Sequence, residues 1–264
     1  MCLILTAYRQ HKHYPLVLAA NRDEFYNRPT RQIEAWQDRP GIIAGRDLKG
    51  SGTWMGIDRQ GRLAAITNYR DPANLKSDAP TRGLLVSNFL SGTPSAESYL
   101  TTLSKTADRY NGFNLLLYDQ SGLWHYSNRQ GAITALEPGI HGLSNHLLNT
   151  PWPKVRRGRH AFAEALQANP SIDPETLLTL MEDRRIAPDD QLPQTGVSLE
   201  WERMLSPMFI QSDTYGTRCT SVVLFNRSGM ISFVEKTHPH PGSGLDAADT
   251  HTFQWAAEGQ LRAN

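Results

Sequence analysis

The apolar runs of this chain are short, and they come in pairs joined by turn residues. Leu3–Ala7 and Leu16–Ala20 flank the polar stretch His11-Lys12-His13. Gly41–Gly45 and Thr53–Ile57 flank Gly50-Ser51-Gly52, and Leu63–Asn68 follows the turn Asp58-Arg59-Gln60-Gly61. Phe113–Tyr118 and Leu123–Ser127 flank Gln120-Ser121-Gly122, and Val222–Phe225 and Ile231–Glu235 flank Asn226–Gly229. Runs of this length bounded by Gly, Asn, Asp and Ser read as strands in hairpins. Thr134–Leu136, His141–Ser144 and Thr252–Ala256 read as further strands. Apolar residues at helical spacing predict helices over Arg82–Leu90, Ala96–Arg109, Lys154–Gln167 and Pro174–Asp183. Asp173 is placed to cap the last of these, with Pro174 at its first position. Hairpins favour antiparallel pairing, and helices in clusters must lie on sheet faces. The expected class is α+β: two antiparallel sheets covered by helices, in one domain spanning residues 1–264. Asp189–Ser206, polar and interrupted by Pro193 and Gly196, reads as a long surface loop.

Composition narrows the function classes. A formal net charge of +1 gives no global field for nucleic acid or an anionic membrane. No apolar run approaches the length of a membrane-spanning helix. Two cysteines, Cys2 and Cys219, exclude a disulfide framework and a zinc cluster, so no metal site is expected. The first apolar run is too short for a signal-peptide core, and no basic segment precedes it. Reduced thiols then suit a cytosolic or organelle-luminal setting, and a cytoplasmic one is expected.

Cys2 carries the sharpest chemical suggestion. Removal of the initiator Met ahead of a small residue would leave a free α-amine on the residue that bears the thiol. That amine can serve as base for its own side-chain nucleophile. A chance residue at position two is the bland alternative. The dense polar run Asn21-Arg22-Asp23-Glu24 directly follows an apolar strand and must be hydrated or paired. It is either part of a site or a structural polar cluster. Gly50-Ser51-Gly52 reads as a hairpin turn, since no Gly-Lys-Ser/Thr follows to make a phosphate loop. Trp54 and Trp152 read as core or pocket wall, with ligand stacking the alternative. Asn68 and Asn145 serve either as turn caps or as amide donors. His11, His13, His238 and His240 read as surface histidines in loops. Cys219 reads as a buried small apolar residue.

Leu18-Ala19-Ala20-Asn21-Arg22-Asp23-Glu24-Phe25 resembles the signature of the NRDE family, also called the transport and Golgi organisation family. Phe25-Tyr26-Asn27-Arg28-Pro29, Gly52-Thr53-Trp54-Met55-Gly56, Ala65-Ile66-Thr67-Asn68-Tyr69 and Tyr110-Asn111-Gly112-Phe113-Asn114-Leu115 continue the resemblance in order. So do Gly142-Leu143-Ser144-Asn145, Pro151-Trp152-Pro153-Lys154 and Tyr215-Gly216-Thr217-Arg218. The family is similar in turn to N-terminal nucleophile hydrolases of the choloylglycine hydrolase and penicillin V acylase group. That resemblance implies an αββα four-layer sandwich of two antiparallel sheets. It implies a catalytic set of Cys2, Arg22, Asp23, Asn68 and Asn145, with Asn21, Trp54 and Arg218 binding ligand.

Cys2 would be nucleophile and base, and Asp23 would hold its amine. Asn68 or Asn145 would face the oxyanion, and Arg22 or Arg218 would lower the thiol pKa. Arg22 departs from the relatives' pattern, because it stands two positions after the alignment point of their Arg. On a strand Asn21 and Asp23 share one face and Arg22 takes the other, so an Asp23 that faces Cys2 turns Arg22 away. Two functions follow from the resemblance. One is an N-terminal-Cys hydrolase or acyl transferase on an amide of a small, partly apolar molecule, needing no cofactor. The other is a non-catalytic carrier of haem or an acyl lipid. Covalent haem is excluded by the lack of Cys-x-x-Cys-His.

Overall fold

The hairpins that the turn residues mark are all present, and they assemble into two separate antiparallel sheets. The computed structural model describes residues 2–168 and 171–257. The chain forms two compact units. The first is built on Met1–Asn27, Pro138–Ser144 and Leu148–Ala256, the second on Arg28–Glu137 and Asn145–Leu147. The α+β class with two antiparallel sheets is therefore as expected.

The first unit holds a six-stranded sheet. Its strands are β1 (Cys2–Tyr8), β2 (Leu16–Phe25), β10 (Gly139–Leu143), β11 (Tyr215–Phe225), β12 (Met230–Thr237) and β13 (Asp249–Ala256), in the order β10-β1-β2-β11-β12-β13. β1 and β2 pair from Cys2↔Arg22 to Tyr8↔Leu16. β11 and β12 close through an Asn226–Gly229 turn. There Asn226 Oδ1 accepts from the Ser228 N–H at 2.9 Å, and Gly229 takes φ +86°, a conformation natural to glycine.

Two helices, α3 (Pro153–Ala168) and α4 (Pro174–Leu180), pack Phe162, Leu166, Leu177 and Leu178 on one face of this sheet. That face presents Leu3, Leu5, Ala7, Val17, Ala19, Val222 and Leu224, alternate residues of their strands. Each such buried Leu, Val or Phe side chain contributes about 1.5–3 kcal/mol of transfer free energy. Asp173 caps α4 as expected, accepting from the Glu175 N–H at 3.1 Å.

The second unit is a seven-stranded meander. It runs β3 (Thr30–Ala35), β4 (Ile42–Asp47), β5 (Met55–Asp58), β6 (Leu63–Asn68), β7 (Phe113–Asp119), β8 (Gly122–Ser127) and β9 (Ile133–Ala135). Helices α1 (Gly83–Ser91) and α2 (Ala96–Ser104) bury Leu85, Phe89, Leu100 and Leu103 against Ile42, Ala64, Ile66, Leu115 and Leu117. Arg62 ties α1 to the sheet. Its guanidinium donates to the carbonyls of Phe89 at 2.8 Å, Pro94 at 3.0 Å and Gly92, and lies 4.1 Å over the Phe89 ring.

Three expectations are corrected. Asp189–Ser206 is not a structureless loop: it contains a 3-10 turn at Asp189–Gln191 and a helix, α5 (Leu199–Met204). Ser198 caps α5, and buried Glu202 accepts from the Thr195 N–H and hydroxyl at 2.9 and 2.6 Å. The predicted Ala96–Arg109 helix stops at Ser104, and its remainder is a 3-10 turn, Ala107–Arg109. The last predicted helix, Pro174–Asp183, ends at Leu180.

Candidate functional site

Strand register builds a polar cluster at the open end of β1 and β2. Cys2 lies directly across from Arg22, and Arg22 directly across from Cys219. Residues opposite each other in antiparallel strands project from the same face. Cys2, Arg22 and Cys219 thus form one rung on one face, with Ser221 and Glu235 on the rung beside it. Asn21 and Asp23 project from the other face, towards α3 and α4. The sequence posed the two faces as alternatives for Cys2, and it is Arg22 that shares the thiol's face.

Asp23 nonetheless bears on Cys2 through its backbone N–H, which favours the thiolate. Cys2 is half-buried. Burial raises its thiol pKa and the Asp23 charge adds to the rise, while the Arg22 charge and the Asp23 N–H oppose it. Asp23 itself is buried. The Thr217 hydroxyl, across the β2–β11 pair, donates to its Oδ1 at 2.7 Å and accepts from the Ile210 N–H at 2.9 Å. Burial raises the Asp23 pKa. The Lys154 charge is the foremost opposing influence, and the Thr217 hydrogen bond and the Arg22 charge also oppose the rise.

Lys154 and Thr217 were not singled out from the sequence. Both stand inside motifs that carry the family resemblance, Pro151-Trp152-Pro153-Lys154 and Tyr215-Gly216-Thr217-Arg218. A lysine among apolar residues at a helix start was the available signal.

Asn21 was expected to bind ligand; its side chain is hydrogen-bonded within the fold. Nδ2 donates to the carbonyls of Met181 at 2.9 Å and Met208 at 2.8 Å, and Oδ1 accepts from Thr220 Oγ1 at 2.7 Å. The single Thr220 proton is used in that bond, so His238 Nε2 carries the proton it donates to Thr220 at 2.8 Å. His238 is therefore buried structure rather than surface. Its ring packs edge-on to Phe209, and burial lowers its pKa to about 4.

Arg218 sits at a bulge between Thr217 and Cys219. It donates to the carbonyls of Phe25 at 3.1 Å and Tyr26 at 3.4 Å. Burial and the nearby Arg22 charge lower its pKa. Cys219 is buried as expected, and burial together with Glu235 pushes its thiol well up.

The remaining expected residues belong to the second unit. Asn68 ends β6, and Asn145 is fully buried. They come together there, with Asn145 Nδ2 donating to the Asn68 carbonyl at 3.0 Å. The Asn145 carbonyl accepts from the Arg70 N–H at 2.7 Å. Trp54 is half-buried, and its ring lies against Gly45 so closely that a Cβ there would fall 2.2 Å from the ring edge. Among the described residues no group of three or more His, Cys, Asp or Glu could hold a metal ion. No helix among them is long and apolar enough to cross a membrane.

Residues 1–239 match the model of the family described as Transport and Golgi organisation 2. The chain is 36% identical over 256 residues to the Transport and Golgi organization 2 homolog of Mus musculus, covering 91% of this chain and 92% of that one. It is 36% identical over 261 residues to the homolog of Homo sapiens, covering 93% and 94%. It is 28% identical over 257 residues to the protein of Drosophila melanogaster, covering 88% of each. Among solved structures, the N-acylethanolamine-hydrolyzing acid amidase ortholog of Caenorhabditis elegans is similar at TM-score 0.47 and 8% identity, covering 84% of this chain and 92% of that one. At that score the likeness fixes neither fold nor function.

Proposed function

We propose that this chain, which belongs to the Transport and Golgi organisation 2 family, uses Cys2 as the nucleophile of an acyl hydrolase or acyl transferase. The observation that carries this reading is the rung on which Arg22 stands directly across from Cys2, the Asp23 N–H also favouring the thiolate. A cation and an N–H donor both favour thiolate over thiol. The substrate is an amide of a small, partly apolar molecule. The Cys2 sulfur attacks the carbonyl carbon, the C–N bond breaks, and the amine leaves with the proton from the thiol. Water, or an acceptor nucleophile, then cleaves the thioester and restores the thiol. No cofactor takes part.

The base in this scheme is the α-amine of Cys2, which requires loss of Met1, a residue outside the described ones. Intact mass of the purified protein reports that loss directly. A cytoplasmic setting suits two unbridged thiols. The test is turnover of a panel of small amides by wild type, Cys2→Ala and Cys2→Ser, all folded. The reading expects turnover in wild type, a sharp reduction in the serine variant and none in the alanine variant. Equal turnover in all three would refute it.

A second reading is favoured by the burial that raises the Cys2 thiol pKa. A neutral, half-buried thiol suits a carrier that binds haem or an acyl lipid without chemistry. Titration of haem and of an acyl-CoA separates the two. Saturable binding that survives Cys2→Ala, with no product released, supports the carrier.

A further inference from the structure

A cavity of about 300 Å³ opens in the first unit between α3, the edge strand β10 and residues 149–151. That volume suits a small molecule. Ile140, Val155 and Ala163 give the cavity an apolar wall, and its charged lining is Arg156 and Arg159, with no acidic side chain among the described residues that line it. Each guanidinium is tethered once and keeps its other donors. Arg159 donates through Nε to the Ile140 carbonyl at 3.0 Å, which leaves both terminal nitrogens without a protein acceptor. Arg156 donates one terminal nitrogen to Gln191 Oε1 at 3.1 Å. His160, also on the rim, is taken by Glu164 at 3.4 Å. Close packing of α3 on β10 clamps the Arg159 stem. A Cβ on Gly142 would fall 2.9 and 3.0 Å from Arg159 Cγ and Cδ, so the bare glycine lets that stem lie flat on the strand. Gly142 also holds the rim: its N–H donates to Asn149 Oδ1 at 2.9 Å and its carbonyl accepts from the Asn149 N–H at 2.8 Å. Asn149 stands at φ +60°, a left-handed conformation that Asn adopts more readily than most residues.

We propose that this cavity binds a small organic anion, its carboxylate or phosphate head on the terminal nitrogens of Arg159 and Arg156 and its apolar body on Ile140, Val155 and Ala163. A guanidinium presents a planar fork of donors that matches the oxygens of either head group. Arg159 is already held in place, so little side-chain freedom is lost when the anion arrives. Arg156 and Arg159 stand three positions apart on α3, where like charges repel, and an anion between them relieves that repulsion. A cation finds no carboxylate partner in the lining. The site uses none of the cluster around Cys2, so it stands whichever reading of that cluster holds.

The experiment titrates benzoate, phenyl phosphate, inorganic phosphate and neutral benzyl alcohol into the full-length protein, followed by NMR. The variants are Arg159→Gln, Arg159→Lys, Arg156→Gln and Arg31→Gln, the last removing the same charge from an exposed position in the second unit. Wild type should saturate with benzoate or phenyl phosphate, and the tighter of the two identifies the head group. Inorganic phosphate and benzyl alcohol each offer half of the ligand and should bind about tenfold more weakly or worse. Arg159→Gln should weaken binding by about tenfold or more and Arg156→Gln by about threefold, while Arg31→Gln stays within about twofold of wild type. Arg159→Lys keeps the charge without the fork and should fall between wild type and Arg159→Gln. Failure of wild type to saturate with either organic anion by about 10 mM would overturn the proposal. Equal weakening by Arg31→Gln and the two cavity variants would also overturn it, since that marks unspecific charge attraction. Inorganic phosphate binding as tightly as phenyl phosphate would overturn the role given to the apolar wall. Melting temperature shows which variants are folded. If Arg159→Gln unfolds, exposed Arg156→Gln decides, and unchanged affinity there would overturn the site.

Discussion

Asn21→Ala separates a structural asparagine from a ligand-binding one. The Asn21 amide group satisfies two carbonyls, Met181 at 2.9 Å and Met208 at 2.8 Å, in a site that water does not reach. Removing the donor leaves each carbonyl short of a partner, at about 1–3 kcal/mol apiece. The Thr220 hydroxyl loses its acceptor but keeps its bond from His238, so it adds little. The expected loss is about 2–6 kcal/mol. Asn21→Asp keeps the shape but replaces the two donated protons by a carboxylate facing two carbonyls, and should cost at least as much. Urea unfolding followed by circular dichroism measures both. The ends of α4 and α5 would be loosened first, because Met181 and Met208 follow those helices. A loss below about 1 kcal/mol in Asn21→Ala, together with weakened ligand binding, would refute the structural assignment.

Arg62→Ala removes three charge-assisted bonds to the Phe89, Gly92 and Pro94 carbonyls, and should destabilise the chain by about 2–4 kcal/mol in the same assay. Arg62→Lys should recover only part, since one ammonium cannot reproduce the planar fork. His238 is neutral in the folded state down to a pKa of about 4, against 6.5 unfolded. The unfolded chain therefore binds the extra proton between those values, and stability should fall as pH drops from 6.5 towards 4 and then level off. The contribution is at most about 3 kcal/mol, and a His238→Gln variant should flatten that part of the pH–stability curve. In native protein iodoacetamide should modify half-buried Cys2 while Cys219, buried beside Glu235, reacts only on unfolding, as peptide mass spectrometry would show.

The parts of the fold legible in the sequence are those where turn chemistry and apolar alternation agree. Asn226–Gly229 and Asp173-Pro174 are such places, and the structure puts a hairpin and a helix start there. β3 escaped notice because it is an edge strand with only Ile33 buried, so Thr30–Ala35 shows no apolar run. α5 was hidden because its burial rests on Glu202 held by Thr195, a contact with no hydrophobic period. Alternation along β2 correctly divided Asn21 and Asp23 from Arg22, but could not say which set faces Cys2. That depends on the β1–β2 register, which the length of the connecting loop sets. Lys154 was passed over for a similar reason. Asp23, on whose charge it acts, is 131 positions away (154 − 23) and no local pattern joins them.

Nucleophilic chemistry at Cys2 is tested most directly by trapping its acyl intermediate. The purified full-length protein is treated with a reactive acyl donor, a 4-nitrophenyl ester of a short fatty acid, and quenched in acid. Intact mass and peptide mapping then locate the adduct. The account predicts one acyl group per chain on Cys2, none on Cys219, and no adduct in Cys2→Ala. An unmodified Cys2 in protein that has lost Met1, or acylation that persists undiminished in Cys2→Ala, would contradict it.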